Sequence, residues 1–285
     1  MAKYQIVHNS KYRLSGEGKL ESAKLYLIPK SDTRQKLLYY KFSSTPLSEY
    51  TEQQDRFKNT YLNLSIPASF ESLKISFFSE VEVIGSVPPL SYFAVSWEQL
   101  ISGLALSKNV LPYQFLDTNL TLEEQQVLAE FVSNQTKNNA TIGSNLQRIL
   151  ELLNKECVYD TSATTPYTSV MEFFKKRRGV CQDMARLLIA CFRSIGVPAR
   201  YVSGYMLTEE DSARILGAHT HAWVSIFIPR YGWLDLDPTN ACVINERYIE
   251  LAHGPDYFDI APVSGSILGS QTQIMDVSID LKKIA

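Results

Sequence analysis

The chain has 285 residues, with 28 Lys and Arg against 30 Asp and Glu, and 45% of its residues are hydrophobic. That length suits one large domain or two ordinary ones, and the apolar fraction excludes wholesale disorder. A formal charge of −2 gives no electrostatic reason to expect nucleic acid or an anionic membrane as a partner. The cysteines form no Cys-x-x-Cys pair, which argues against a disulfide scaffold or a zinc ribbon; they are Cys157, Cys181, Cys191 and Cys242.

No targeting or membrane segment is visible in the sequence. The N-terminal residues lack the apolar core of a signal peptide. No apolar run approaches the ~18 residues needed to span a bilayer. These patterns predict a cytoplasmic protein with reduced cysteines and no membrane partner.

The first hundred residues are predicted to form mainly strands. Short stretches rich in aromatic and aliphatic residues alternate there with turn-forming residues. The predicted strands cover 3–8, 23–28, 36–43, 61–66 and 73–84, and the predicted turns cover 15–18, 29–32, 43–46 and 67–68. This pattern predicts a β-sandwich-type domain. Because no cluster of titratable residues occurs there, a scaffold or docking role is favoured over a second active site.

A change of pattern follows Ser86-Val87-Pro88-Pro89, and residues 95–118 are predicted to be an irregular connector. Thr121 and Glu124 then have the spacing of a capping box at the start of a helix. Two further helices are predicted from apolar stripes, made by Leu146, Ile149, Leu150 and Leu153 and by Met171, Phe173 and Phe174. We therefore predict an N-terminal β-rich domain at 1–110 and a catalytic domain at 111–285.

Cys181 is the cysteine whose position suggests chemistry. The apolar spacing from Gln182 onward predicts a buried helix that ends at Gly196. Cys181 would begin that helix, where unpaired backbone N–H groups and the helix dipole favour a thiolate. A free cysteine is commonly a small buried hydrophobe, but Cys181 lies off the apolar stripe, whereas Cys191 lies within it. Gly179 would allow a tight turn or the close approach of a substrate.

A thiolate nucleophile needs an imidazole and a group that orients it. A predicted strand carries His219 and His221, and the strand that returns after a turn carries Asp235 and Asp237. A hairpin centred on Pro229 would place His221 nearly opposite Asp237, with both side chains on one face. His219 and Asp235 share the same strand parity and remain alternatives.

Metal binding is the main competing interpretation of the His-x-His pair, since Cys242 is near it in the sequence. Neither the cysteine spacing nor an acidic ligand set supports a zinc site. We therefore predict no metal and no other cofactor.

Four segments resemble the bacterial transglutaminase-like superfamily. They are Arg-Gly-Val-Cys-Gln-Asp at 178–183, Gly-Val-Pro-Ala-Arg-Tyr-Val-Ser-Gly-Tyr at 196–205, His-Ala-Trp-Val at 221–224 and Asp-Pro-Thr-Asn at 237–240. The resemblance implies an α+β fold in which a papain-like core follows an N-terminal β region. It also implies a catalytic Cys-His-Asp triad made by Cys181, His221 and Asp237. It prefers His221 to His219 and Asp237 to Asp235. Bacterial relatives are often described as cysteine proteases.

The sequence departs from this family pattern at three positions. Arg186 stands where many relatives have His, Ser225 stands where an acidic residue is common, and Ala241 stands where Gly often follows Asp-Pro-Thr-Asn. None of them is in the implied triad, so we expect them to affect substrate fit.

The function implied is thiol-dependent acyl transfer on peptide or amide bonds. Resolution of the acyl-enzyme by water would make a cysteine peptidase or amidase, and resolution by an amine would make a protein-glutamine transglutaminase. We favour hydrolysis, because water is always present and no amine site is marked. The third possibility is a non-catalytic binding module. The presence of Cys181, His221 and Asp237, all three residue types of the implied triad, argues against it. The sequence identifies neither the substrate, nor the second oxyanion donor, nor the oligomeric state.

Overall fold

A computed structural model describes residues 2–85, 87–106, 111–207, 219–269 and 273–284. The helices within these ranges are α1 (Trp97–Ala105), α2 (Leu122–Gln135), α3 (Ile142–Glu156), α4 (Val170–Lys176) and α5 (Cys181–Ser194). The strands are β1 (Ala2–Leu25), β2 (Gln35–Thr45), β3 (Glu49–Gln54), β4 (Thr60–Val83), β5 (Val158–Tyr159), β6 (Arg178–Gly179), β7 (Ala199–Met206), β8 (His219–Ile228), β9 (Gly232–Asp237), β10 (Cys242–Val243), β11 (Tyr248–Gly254), β12 (Val263–Leu268) and β13 (Gln273–Lys283). No helix in these ranges is long and apolar enough to cross a membrane.

The N-terminal sheet has two halves that share the long strands β1 and β4. One half of β1 pairs with β13 and the other half pairs with β12. Strands β2 and β3 divide β4 in the same way. Buried side chains of both halves belong to one hydrophobic cluster, which also includes Tyr205 on β7 and Ile249 and Leu251 on β11. The predicted strand-rich region is therefore confirmed as one six-stranded sheet, and the two-layer packing of a sandwich stays a prediction.

Two of the predicted turns lie inside continuous strands. Residues 15–18 are part of β1, and residues 67–68 are part of β4. The register between these strands shifts between Arg13 and Gly18 and again before Ala23, as at bulges that bend a strand without ending it. The predicted breaks were wrong because glycine, serine and proline indicate a local bend, while pairing on both sides keeps the strand continuous.

The C-terminal part of the chain returns to the N-terminal sheet. Strands β12 and β13 both pair with β1. The division into residues 1–110 and 111–285 stays a prediction, but its second part contributes two strands to the sheet of the first. No local pattern in the sequence could show that pairing.

A second sheet has five strands in the order β10-β9-β8-β7-β11. Helix α5 packs against this sheet. Helix α5 also contacts α2 and α4. The predicted helices α2, α3 and α4 are confirmed. The Thr121 hydroxyl accepts a hydrogen bond from the Glu124 backbone N–H, and the Glu124 carboxylate accepts one from Thr121, which completes the expected capping box.

The predicted connector is partly helical. Helix α1 begins after Ser96, whose side chain accepts a hydrogen bond from the Gln99 N–H while the Gln99 side chain accepts one from Ser96. The helix buries Trp97, Leu100 and Leu104. The prediction of an irregular connector was wrong for this segment, because Ser96 and Gln99 have the spacing of a capping box, which starts a helix. Ser86 and residues 107–110, at the predicted boundaries, lie outside the described residues.

Candidate active site

Cys181 is the first residue of α5. The Asp183 Oδ2 atom accepts hydrogen bonds from the Val180 N–H at 2.8 Å and from the Thr164 hydroxyl at 2.7 Å, which holds the first turn of the helix. A Cβ atom at Gly179 would lie 2.4 Å from this oxygen. Gly179 therefore makes room for the Asp183 carboxylate, so it serves the tight turn that leads into the helix.

His221 and Asp237 meet across the hairpin of β8 and β9, in a register that differs from the expected one. The pairing centres the hairpin on Arg230 instead of Pro229. Extended to the end of β9, this register places Asp237 beside the position of Trp223. The hairpin centre is thus shifted by one residue from the expected one, and His221 and Asp237, expected to be nearly opposite, are diagonal neighbours, a separation that long side chains can bridge.

The imidazole of His221 lies between an acid and the thiol. Its Nε2 atom is 2.7 Å from Asp237 Oδ2, and this contact leaves Nδ1 on the side of Cys181. Burial lowers the pKa of His221, but the charges and hydrogen bonds of Asp237 and Cys181 outweigh burial and raise that pKa well above its usual value. The arrangement therefore favours the protonated imidazole, which is held between the Asp237 carboxylate and the Cys181 side chain.

Asp237 is fully buried and receives several hydrogen bonds. The Asn240 side-chain amide donates to Oδ2 at 2.7 Å, the Tyr248 hydroxyl donates to Oδ2 at 2.8 Å, and the Thr239 N–H donates to Oδ1 at 2.8 Å. Burial raises the pKa of Asp237, but the charge of His221 and the hydrogen bonds of His221, Asn240 and Tyr248 hold it below its usual value. Asp237 is therefore an ionised acceptor at neutral pH.

The hydrogen bond from Tyr248 to Asp237 is the contact of this site that the sequence did not predict. Asn240 and Thr239 lie in the same short motif as Asp237, so their contacts are local. Tyr248 begins β11, which is separated from β9 by β8 and β7, so only the folded sheet brings its hydroxyl to Asp237. No local signal in the sequence predicts such a bond.

Tyr159 lies beside the start of α5. Strand β5 runs parallel to β6, and Tyr159 is paired with Gly179, two residues before Cys181. Its side chain is 37% exposed. Burial and the charges of Cys181, Asp183 and Asp237 raise the pKa of Tyr159 to about 12. The hydroxyl is therefore protonated at neutral pH and can donate a hydrogen bond.

The other thiols have surroundings that suppress reactivity. Cys191 is fully buried, and burial raises its pKa to about 12. Burial also raises the pKa values of Cys157 and Cys242. These thiols are protonated at neutral pH and are correspondingly inert.

The alternative candidates, His219 and Asp235, do not share the environment of His221 and Asp237. Asp235 is paired across the sheet with Ser225, and the charges that act on it are those of Glu250, Arg200 and Arg34. The backbone of His219 pairs with Met206, and its side chain lies outside the described residues. Among the residues that the structure describes, no group of three or more His, Cys, Asp or Glu could hold a metal ion.

Two family models match this sequence. Residues 126–238 match the transglutaminase-like superfamily, and residues 4–82 match the bacterial transglutaminase-like N-terminal region. An uncharacterized protein of Mycobacterium tuberculosis strain H37Rv is 31% identical over 293 residues, which cover 98% of this chain and 92% of the relative. The chain belongs to the transglutaminase-like superfamily.

Other relatives of this transglutaminase-like protein agree with the fold. The crystal structure of a candidate cysteine protease from Cytophaga hutchinsonii has a TM-score of 0.78 at 19% identity and covers 100% of this chain and 91% of that one. This likeness confirms the predicted α+β fold with its papain-like core. A protein-glutamine gamma-glutamyltransferase of Pseudomonas aeruginosa is 37% identical over 100 residues, which cover 32% of this chain and 15% of that protein.

Proposed function

We propose that this protein is a thiol-dependent acyl-transfer enzyme that acts on peptide or amide bonds and uses water to release the acyl group. The observation that carries the proposal is the 2.7 Å contact between His221 Nε2 and Asp237 Oδ2, with Cys181 on the other side of the imidazole. Nucleophile, base and orienting acid in this order constitute the machinery of cysteine acyl transfer. The substrate is a peptide or protein amide, and no cofactor takes part.

The reaction follows from these positions. The Cys181 thiolate attacks the amide carbonyl carbon, and a sulfur–carbon bond forms. The carbon–nitrogen bond then breaks, and His221 transfers its proton to the leaving amine. Water adds to the thioester, His221 accepts a proton from this water and returns one to the sulfur, and the carboxylic acid leaves. Asp237 holds the imidazole in place and stabilises its positive charge throughout.

Two donors are suited to the oxyanion. The Cys181 backbone N–H belongs to the first turn of α5, where N–H groups lack partners within the helix. We assign the second donor to the Tyr159 hydroxyl, because its strand lies beside β6 and because it is protonated and partly exposed. A neutral donor placed before the charge develops stabilises the tetrahedral intermediate.

The choice of water over an amine rests on access. Cys181 is partly buried and Tyr159 is 37% exposed, so solvent reaches the position of the thioester. An amine acceptor would need its own binding groups, and the sequence marks none. The named activity of the Pseudomonas relative makes protein-glutamine transglutaminase the second candidate.

Alkylation with iodoacetamide tests the activated nucleophile. We expect the wild-type protein to react near neutral pH at Cys181 faster than a model thiol, with the site mapped by mass spectrometry. His221→Ala should lower this rate to that of the model thiol, whereas Cys242→Ala should leave it unchanged. If wild type reacts no faster than either the model thiol or His221→Ala, a non-catalytic binding module is the better interpretation.

A peptide library tests the reaction itself. Products should be scored separately for backbone cleavage, for deamidation of glutamine and for incorporation of an added primary amine. We expect cleavage or deamidation that is abolished in Cys181→Ala and retained in Cys157→Ala. Amine incorporation that exceeds hydrolysis would contradict the hydrolytic proposal and support the transglutaminase. If Cys181→Ala has the same unfolding temperature as the wild-type protein, the Cys181 side chain is not required for the stability of the core.

A further inference from the structure

A polar cavity of about 400 Å³ lies where the N-terminal sheet meets the five-stranded sheet. Its volume is within the range of small-molecule sites. None of its lining residues belongs to the proposed triad. They are Asp32, Thr33, Arg34, Gly85, Val87, Arg200, Tyr231, Trp233, Asp235 and Glu250.

Arg200 and Asp235 line the cavity and are the outer members of a row of three polar residues, whose middle member, Ser225, is fully buried between them. Arg200 on β7 is paired with Ser225 on β8, and Ser225 is paired with Asp235 on β9. Paired residues on antiparallel strands project from the same face of a sheet. The row therefore presents a guanidinium, a hydroxyl and a carboxylate side by side.

The row contains buried polar atoms that lack partners within the described part of the chain. They are Arg200 Nε, Ser225 Oγ and Asp235 Oδ1. Asp235 is only 9% exposed. Burial and the charge of Glu250 raise the pKa of Asp235 to about 6, against the opposing charges of Arg200 and Arg34, so the carboxylate is still ionised at neutral pH. Unpaired buried polar atoms are costly, and a ligand with one donor and one acceptor would satisfy them.

The nearby charges are already committed to other partners. Glu250 Oε1 is 2.7 Å from His253 Nδ1 and 3.9 Å from Lys30 Nζ. Another nitrogen of Arg200, Nη1, binds His253 Nε2 at 2.9 Å. Oδ1 of Asp235 has no hydrogen-bond partner within the described part of the chain, so this carboxylate is available to a ligand.

Four charged residues of the cavity form no ion pair within the described part of the chain, and they are of both signs. Arg34 and Arg200 are positive, and Asp32 and Asp235 are negative. A simple anion or a simple cation would leave one of these signs unopposed, whereas a zwitterion would match both. The Arg200 guanidinium lies 4.2 Å from the ring centre of Trp233, which adds an apolar wall for the ligand's side chain.

We propose that this cavity binds a free α-amino acid, whose ammonium group binds Asp235 and whose carboxylate binds Arg200 and Arg34. Arg200 and Asp235 belong to the five-stranded sheet and Arg34 lies in the bend before β2, where it donates to the Tyr248 carbonyl. The three groups are therefore held in place before the ligand arrives, which lowers the entropy cost of binding. The site is separate from the acyl-transfer chemistry, so its occupancy does not depend on the proposed function.

The test on the wild-type protein uses each of the common L-α-amino acids as a probe. We expect at least one of them to raise the unfolding temperature, because a ligand of the folded state stabilises that state, and to bind with one-to-one stoichiometry in calorimetry. Acetate and ethylammonium each carry half of the zwitterion and should bind at least about 10-fold more weakly. Failure of every amino acid, or equal binding of either half, would overturn the proposal.

Asp235→Asn tests the assigned carboxylate, because the side chain keeps its shape and loses its charge. We expect its affinity for the best amino acid to fall about 10-fold or more, whereas Asp276→Asn, at an exposed position, should bind as wild type does. Unchanged affinity in Asp235→Asn would overturn the assignment. If Asp235→Asn does not fold, the proposal is tested by the wild-type protein alone, through its affinities for the amino acid, for acetate and for ethylammonium. Activity is not a readout, so the outcome is independent of the proposed enzyme function.

Discussion

The Tyr248 hydroxyl donates a 2.8 Å hydrogen bond to Oδ2 of Asp237. The same oxygen lies 2.7 Å from His221 Nε2, so one buried carboxylate oxygen is shared by a tyrosine and by the imidazole. Tyr248 lies at one edge of the five-stranded sheet and Asp237 lies near the other. The bond therefore connects the orienting acid to a strand that is not its neighbour.

Tyr248→Phe should destabilise the protein by about 1.5–3 kcal/mol, the usual contribution of a hydrogen bond to a charged group. The ring remains, so packing against Trp223 is kept. Urea denaturation at neutral pH measures the loss. Tyr92→Phe, at an exposed position, should leave the free energy of unfolding unchanged. Equal stability of Tyr248→Phe and wild type would show that Asp237 does not need this donor.

Tyr159→Phe should lower kcat by about 10²-fold with little change in KM, as expected when one oxyanion donor is lost. Alkylation of Cys181 should proceed at the wild-type rate, because the donor acts on the intermediate and not on the thiol. Tyr167→Phe, on an exposed ring, is the control. A slower alkylation in Tyr159→Phe would assign Tyr159 to positioning of the thiol instead.

Arg186→Lys should lower the free energy of unfolding by about 1–2 kcal/mol. Arg186 binds both oxygens of Asp256, at 2.9 and 3.1 Å, and the Thr168 carbonyl at 2.9 Å. Lysine keeps the charge but cannot form the two parallel bonds. The exposed pair of Arg13 and Asp276 offers a control, since exposed pairs contribute little. Arg13→Lys should therefore be neutral, and an equal loss in both variants would contradict the prediction.

Ala241→Gly should stabilise the protein by about 0.5–1 kcal/mol. The φ angle of Ala241 is 52°, a left-handed conformation that costs a residue with a Cβ and suits glycine. The alanine that replaces the glycine of the family pattern therefore adds backbone strain at this position. Ala129→Gly, inside helix α2, should have the opposite sign and lose about 1 kcal/mol. Thermal and urea unfolding of both variants measure the difference, and a loss in Ala241→Gly would refute the account.

His8 should make the protein less stable in acid. Burial lowers the pKa of His8 from 6.5 to about 4, and the ring contacts the hydroxyls of Ser10 and Tyr205. Between these values the unfolded chain binds the proton and the folded chain does not, so stability falls as the pH falls from 6.5 to about 4. The loss is about 3 kcal/mol. His8→Gln should lack this part of the pH dependence of unfolding, and parallel curves for both proteins would contradict the prediction.

Local patterns in the sequence were sufficient for the helices around the site. Periodic apolar residues and the capping box of Thr121 predicted α2, and the stripe after Gln182 placed Cys181 at the start of α5. These features depend on residues a few positions apart, which contact each other in any helix. Strand parity also brought His221 and Asp237 to one face, although the turn was centred one residue away.

Contacts between distant segments had no such signature. The bond from Tyr248 to Asp237, the row of Arg200, Ser225 and Asp235, and the return of β12 and β13 to β1 all join residues that are neighbours only after folding. Residue types and short spacings therefore indicated which side chains could react. Strand register and the packing of one sheet on another set which of them meet, because those distances depend on the burial of the whole chain.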